Sequence, residues 1–81
     1  MATVSAIMVQ WGPNMVSGVL VEWLRKVGDT VREGEPLCRV ETEKVTSEVR
    51  APVSGVVAEI LARPDDELEV GAVLCRIRKA V

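Results

Sequence analysis

The 81-residue sequence contains no histidine, no tyrosine and no phenylalanine, and only two cysteines and two tryptophans. Without imidazoles the chain lacks the commonest general acid–base group and the commonest metal ligand. Two cysteines with no histidine make neither a zinc set nor a Cys/His nucleophile pair. An excess of one charge is also missing: 10 basic side chains against 12 acidic ones give a net charge of −2, and the pI lies near 5.1. That balance is not the electrostatic footprint of a nucleic-acid binder. No apolar run reaches the length of a membrane-spanning helix, and the first residues show neither a charged n-region nor a cleavage-site pattern. The expectation is a soluble cytoplasmic protein. A chain of this length forms one domain, residues 1–81, with a thin core and no room for a deep catalytic cleft. It is expected to be no enzyme by itself and to work through its surface.

What the chain does have is an internal repeat. Residues 16–41 align without a gap onto residues 53–78 at a constant offset of 37. The matches include Val16/Val53, Ser17/Ser54, Gly18/Gly55, Glu22/Glu59, Asp29/Asp66, Gly34/Gly71, Leu37/Leu74, Cys38/Cys75 and Arg39/Arg76. Lys44 falls in residues 42–52, which belong to neither copy. A duplicated scaffold with one unduplicated tip points to the tip as the seat of function. The same offset carries Lys44 to Ile7 and to Val81, so a two-fold axis would set Lys44 at one pole and both chain ends at the other. Cys38 and Cys75 occupy equivalent places, which makes a disulfide conceivable, but the preferred reading is a pair of reduced, buried thiols.

Valine-rich runs of four to six residues, broken at short intervals by Gly, Pro and Asp, are the pattern of strands. A first strand is predicted over residues 2–9, then a loop through Trp11-Gly12-Pro13-Asn14. Residues 19–24 and 56–61 are equivalent strands. Their alternation assigns Val19, Val21, Trp23, Val56, Ala58 and Ile60 to the core and Glu22 and Glu59 to the opposite face. Polar turns follow, then short apolar segments anchored by Val31 and Leu68. Gly34 and Gly71 come next, at positions expected to need positive φ. Residues 36–41 and 73–77 close the copies. Neither copy can bury its apolar face alone, so the two pack as antiparallel sheets in a small, flattened, pseudo-two-fold β-sandwich.

Residues 40–49 read as two strands joined by a tight turn at Glu43-Lys44, of type I because it holds no Gly or Asn. A surface lysine is usually no more than solvated charge. At its ordinary pKa of about 10.4 its amine is a poor nucleophile at neutral pH. On a rigid tip, however, it is well placed to be acylated by another enzyme, which removes the charge and adds a long arm.

Glu41-Thr42-Glu43-Lys44-Val45 followed by Glu48-Val49-Arg50-Ala51-Pro52-Val53-Ser54-Gly55 resembles the attachment region of biotinyl/lipoyl carrier domains. Trp23-Leu24-Arg25-Lys26-Val27-Gly28-Asp29-Thr30-Val31 and Gly34-Glu35-Pro36-Leu37 follow the same family's pattern, so the resemblance spans nearly the whole chain. It implies an all-β fold of two four-stranded antiparallel sheets, a flattened hybrid of barrel and sandwich. It also implies that Lys44 carries lipoate in amide linkage, with Glu43 and Val45 as flanking recognition residues. Biotin carriers resemble Met-Lys-Met at the tip, whereas Glu43-Lys44-Val45 is closer to the lipoyl branch. Trp11-Gly12, Met15 and Gly18, with Arg63-Pro64-Asp65-Asp66-Glu67, resemble lipoyl domains of acetoin-dehydrogenase-like acyltransferase components.

The partners implied are a lipoate ligase or lipoyl transferase, a thiamin-dependent decarboxylase, an acyltransferase core and a dihydrolipoamide dehydrogenase, around a monomeric domain. Trp11, Met15 and Ser17 are implied as partner-recognition residues, although Trp11 and Met15 read equally well as apolar plugs under a loop. The chain departs from the family's usual Pro at Val9, usual Glu at Ser17, and at Pro13. A biotin carrier and an unmodified adaptor module are the alternatives, and Lys79-Ala80-Val81 can open a linker.

Overall fold

The computed structural model describes residues 2–42 and 45–80. All regular structure in them is strand: β1 (Thr3–Ile7), β2 (Ser17–Trp23), β3 (Thr30–Val31), β4 (Pro36–Glu41), β5 (Thr46–Arg50), β6 (Gly55–Ile60), β7 (Glu67–Glu69) and β8 (Val73–Lys79). They form two four-stranded sheets, in the orders β1-β8-β6-β3 and β5-β4-β2-β7. Every pairing is antiparallel. The two orders correspond strand for strand under the pseudo-two-fold. The sheets do not close into a barrel, and the body is a flattened sandwich measuring 37 × 22 × 17 Å.

The copies interlock rather than stack. The short strand of each crosses to the other's sheet, β3 onto β6 and β7 onto β2. The turns are exchanged in the same way: Gly28 N–H donates to Val57 O at 2.8 Å, and its mate Asp65 N–H donates to Leu20 O at 2.7 Å. Each turn is braced from within, the Asp29 carboxylate accepting from Lys26 N–H at 2.8 Å and Asp66 from Arg63 N–H at 2.9 Å. Gly34 (φ 89°) and Gly71 (φ 92°) take the positive φ expected of them. Gly28 (φ 97°) has as its mate Asp65 (φ 75°), the one non-glycine at positive φ among the described residues. Aspartate tolerates that region better than most side chains.

The core consists of two clusters related by the pseudo-symmetry. One joins Ala6, Val31, Leu37, Ala51, Val57, Cys75 and Ile77; the other joins Met8, Leu20, Cys38, Val40, Val49, Ala62 and Leu74. The strand alternation predicted a different set. Val19 and Val21 are exposed, as is Ala58, Val56 is half-buried, and Leu20 and Val57 are buried in their place. The cause is a register shift in each strand, between Leu20 and Glu22 and between Val57 and Glu59. A bulged residue, Val21 or its mate Ala58, reverses the inward parity partway along the strand. Trp23 and Ile60, beyond the bulge, do turn inward. Trp23 packs against both clusters and donates its indole N–H to Ala62 O at 2.9 Å.

The offset of 37 does not extend to β1. Ala6 pairs with Cys75 as Val49 pairs with Cys38, so β1 is the mate of β5 at an offset of 43 (49 − 6). Met8 and Ala51 confirm it, their carbonyls accepting from Gly71 and Gly34 respectively, each at 2.9 Å. Ile7 is therefore not the mate of Lys44. The six additional residues lie between Met8 and Val16, a second stretch of chain without a counterpart.

Candidate functional site: the pole at the β4–β5 hairpin

The β4–β5 ladder pairs Glu41 with Thr46 and continues one step further. Thr42 N–H donates to Val45 O at 2.9 Å, and the Thr42 hydroxyl donates to the same oxygen at 3.2 Å. Glu43 and Lys44, which stand between them in the sequence, lie outside the described residues, and so does the predicted type of the turn. Val45 is exposed. From the hairpin β5 runs to Arg50, and the chain then passes to Gly55, which pairs with Lys79. Ala80 N–H donates to Ser54 O at 2.9 Å and Lys79 N–H to Ala2 O at 3.1 Å. The ends of the described chain thus meet at the pole remote from the hairpin.

The unmatched loop lies beside the hairpin. Met15 N–H donates to Gly12 O at 3.2 Å, and Trp11 N–H approaches the Met15 sulfur at 3.4 Å. The Gln10 amide reaches across the loop to the carbonyls of Met15 (3.3 Å) and Pro13 (3.4 Å). An open hollow runs along this loop, with Met15, Val16, Ser17 and Glu67 shared by its two parts and Thr42 at the hairpin end. Of the two residues whose role the sequence left open, Met15 is half-buried against the core and Trp11 is exposed. Trp11 stands instead at the wall of a separate hollow with Arg39, Thr46 and Glu48. Ser17 is half-buried and donates its hydroxyl to Glu67 Oε2 at 3.1 Å.

Gln10 and Glu69 are not singled out by the sequence, while Val16 and Glu67 enter it only as a repeat match and as the end of the Arg63–Glu67 motif. The repeat contains a signal for one of them, since aligning the copies sets Glu69 against Arg32.

Both thiols are free and fully buried. Burial pushes Cys38 up to about 12, with a further contribution from the neighbouring Cys75 and a partly offsetting hydrogen bond from the Val49 backbone. Burial alone pushes Cys75 up to about 11. Neither is a thiolate nucleophile near neutral pH. Among the described residues no three acidic or cysteine side chains are grouped to hold a metal ion, and no helix is long and apolar enough to cross a membrane.

A rigid sandwich that extends one hairpin away from its chain ends, with an irregular loop beside it, is a presenting scaffold. The biotin/lipoyl family, described as biotin-requiring enzyme, matches residues 5–77, and the chain belongs to it. The chain is 41% identical over 47 residues to the dihydrolipoyllysine-residue acetyltransferase component of pyruvate dehydrogenase complex from Mycobacterium bovis, covering 58% of this chain and 8% of that protein. It is 43% identical over 45 residues to the corresponding component of the acetoin cleaving system of Pseudomonas putida, covering 56% and 12%. The chain thus corresponds to about a tenth of the length of these relatives. Among solved structures, the lipoyl domain of the 2-oxoglutarate dehydrogenase complex from Azotobacter vinelandii superposes with a TM-score of 0.75 at 29% identity, covering 96% of this chain and all of that one. The urea carboxylase of Kluyveromyces lactis superposes with a TM-score of 0.82 over 96% of this chain and 6% of that one, at 24% identity, a likeness of fold.

Proposed function

We propose that the chain is a lipoyl carrier domain of a 2-oxo acid or acetoin dehydrogenase complex, with Lys44 as the attachment residue. The observation that carries this reading is the unduplicated β4–β5 hairpin, paired as far as Thr42 and Val45, with Glu43-Lys44-Val45 in the sequence at its end. Amide attachment needs an accessible amine on a firm base and no enclosing pocket. The exposed Val45 and the open hollow beside it meet that requirement. When bound, the dithiolane supplies acyl-carrying and redox chemistry.

The protein's own residues do the positioning. The doubled hydrogen bond from Thr42 to Val45 fixes the base of the tip, and the remote chain ends leave the tip free to enter a partner's active site. Glu43 and Val45 are the flanks that a lipoate ligase or lipoyl transferase reads. The partners are a thiamin-dependent decarboxylase, an acyltransferase core and a dihydrolipoamide dehydrogenase. An arm on a tethered domain meets each of them at up to about millimolar effective concentration. The chain itself performs no catalytic step.

Intact mass after expression with active ligases tests the assignment. A lipoyl increment present in the wild type and absent in Lys44→Gln supports it. A biotin increment, which the family as a whole permits, transfers the chain to the carboxylase branch. An unmodified mass makes it an adaptor.

A further inference from the structure

The loop between Met8 and Val16, which holds the six residues without a counterpart in the other copy, is closed in part by a sulfur. Its main-chain bond from Met15 N–H to Gly12 O is long at 3.2 Å, and the two bonds from the Gln10 amide, at 3.3 and 3.4 Å, are longer. The fourth tie runs from Trp11 N–H to Met15 Sδ at 3.4 Å, and a thioether is a weak acceptor. The same side chain packs against the core cluster of Leu20 and Val40. Its methyl lies over Gly18, with Cε 3.6 Å from where a Cβ would stand. One thioether therefore ties the loop to itself and seats it on the core.

The sulfurs of the described residues differ in access. Met8, Cys38 and Cys75 are fully buried. Burial raises the two thiols to about 12 and 11 and keeps them protonated near neutral pH, the form that reacts slowly with oxidants. The Cα atoms of β4 all stand more than 8 Å from those of β8, beyond the span of a disulfide between Cys38 and Cys75. Met15 is half-buried and lines both parts of the hollow beside the hairpin. Among the described residues it holds the one sulfur that solvent reaches.

We propose that Met15 is a modification site, the sulfur at which hydrogen peroxide oxidises this domain, and that its sulfoxide loosens the unmatched loop. The sulfur lone pair attacks one peroxide oxygen, the O–O bond breaks and an S–O bond forms. The proton on the transferred oxygen passes to the departing hydroxide, which leaves as water; sulfur loses two electrons and the peroxide gains them. The product is polar and no longer suits an apolar seat. Its oxygen is a stronger acceptor than sulfur, but an N–H···O bond of about 2.9 Å with the S–O bond added spans more than 3.4 Å at an ordinary acceptor angle. The sulfur must therefore withdraw from Trp11, and the loop shifts on a sandwich that stays paired. Methionine sulfoxide reductases restore the thioether, so the change is reversible. It does not depend on the state of Lys44, and it places the hollow beside the hairpin under the control of an oxidant.

The test treats the full chain with hydrogen peroxide and follows each methionine by peptide mass. Met15 should gain one oxygen at least about tenfold faster than Met8 in the folded chain, and the two rates should converge in urea. Once Met15 is oxidised, the thermal midpoint should fall by about 4–8 °C. Amide resonances of residues 10–17 should shift while those of Gly55 and Lys79, at the remote pole, stay in place. A mixture of the two epimer-specific reductases should reverse both effects. Met15→Leu keeps the apolar packing and should fold but show neither response to peroxide. Equal oxidation of Met8 and Met15 in the folded chain, an unmoved midpoint and loop spectrum after oxidation, shifts spread evenly over both poles, or the same response in Met15→Leu overturns the proposal.

Discussion

Gly18 and Gly55 are mates in the repeat with different tolerances for a methyl group, and the difference follows from what each approaches. Neither has positive φ, so an alanine at either is opposed by contact alone. A Cβ on Gly18 would lie 2.7 Å from Val40 Cγ1, with the Glu41 carbonyl oxygen at 3.5 Å and Met15 Cε at 3.6 Å. A side-chain methyl can yield a few tenths of an ångström, although Val40 is fully buried. Overpacking of this kind costs about 1–2 kcal/mol, offset by roughly 0.5 kcal/mol from the stiffer unfolded chain.

A Cβ on Gly55 would fall onto the carbonyl oxygen of Arg78, 2.9 Å from its carbonyl carbon and 3.0 Å from Ile77 Cγ2. Backbone cannot rotate away, so the end of β8 must leave β6. That movement gives up the bond from Ala80 N–H to Ser54 O, at about 1 kcal/mol, and disturbs the packing of the buried Ile77, at about 2 kcal/mol more. The expected costs are about 1 kcal/mol for Gly18→Ala and about 3 kcal/mol for Gly55→Ala. In a domain of this size the thermal midpoint falls by about 4–8 °C per kcal/mol. Thermal unfolding followed by far-ultraviolet circular dichroism should therefore place Gly55→Ala at least 8 °C below Gly18→Ala, by about 4 °C for each of some 2 kcal/mol. Equal midpoints, or the reverse order, would refute the account. Failure of Gly55→Ala alone to fold supports it.

The repeat was legible in the sequence because the copies keep the same residues wherever the backbone makes a special demand. Gly34 and Gly71 at positive φ are one such pair, and Asp29 and Asp66 bracing their turns are another. The bulges at Val21 and Ala58 were not legible. A bulge inserts one residue without requiring a distinctive one, and apolar residues two positions to either side, Val19 and Trp23 about Val21 and Val56 and Ile60 about Ala58, let alternation be read in the wrong phase. Simple alternation therefore puts Val19 and Val21 inside, although the burial falls to Leu20. The offset of β1 was hidden for a different reason: β1 and β5 share almost no identities, and only their ladders to β8 and β4 reveal the correspondence. At the site, the unduplicated tip with Lys44 is legible from the repeat, and the resemblance supplies the passenger and the role of the flanks. The placement of Glu41 and Glu67 on either side of Val19 needs strand pairing, which no linear reading of the chain supplies.

Further outcomes follow from the same structure. The raised thiols fix a sign for pH dependence: with folded values of about 12 and 11 against an ordinary value of 9.0, the protonated forms are favoured by folding. Their contribution is fully present below pH 9 and is lost as pH rises, by about 1.4 kcal/mol per pH unit per thiol. Urea titrations between pH 8 and 10.5 should show a shallower decline for Cys38→Ala/Cys75→Ala than for the wild type, and identical slopes would refute the linkage. Met15→Ser should lower stability by about 1–2 kcal/mol because Met15 packs against the core, while Trp11→Ser, at a residue that joins neither core cluster, should lower it by less. Calorimetry checks the pair, and equal losses would return Trp11 to the core. Moving the lysine by one position in Glu43→Lys/Lys44→Glu should abolish lipoylation by intact mass without moving the thermal midpoint; undiminished modification would show that the ligase does not read the hairpin's register.

Duplication gives the fold a way to separate stability from function. Each core cluster has a mate, as do the Asp-braced turns and the Arg39–Glu22 and Arg76–Glu59 ion pairs, so for these features one pole can satisfy the sandwich as well as the other. Several departures from the symmetry lie at the hairpin pole: the six residues added between Met8 and Val16, Glu41 and Glu69 where the other copy has Arg78 and Arg32, and the hairpin itself. The symmetric ion pairs are exposed and contribute about 0–1 kcal/mol each. Charge at such exposed positions therefore has little leverage on stability, and reversing it between the poles leaves the scaffold nearly unaffected. The reversal changes instead the field that an approaching protein meets, which is how the domain can distinguish one end of itself from the other.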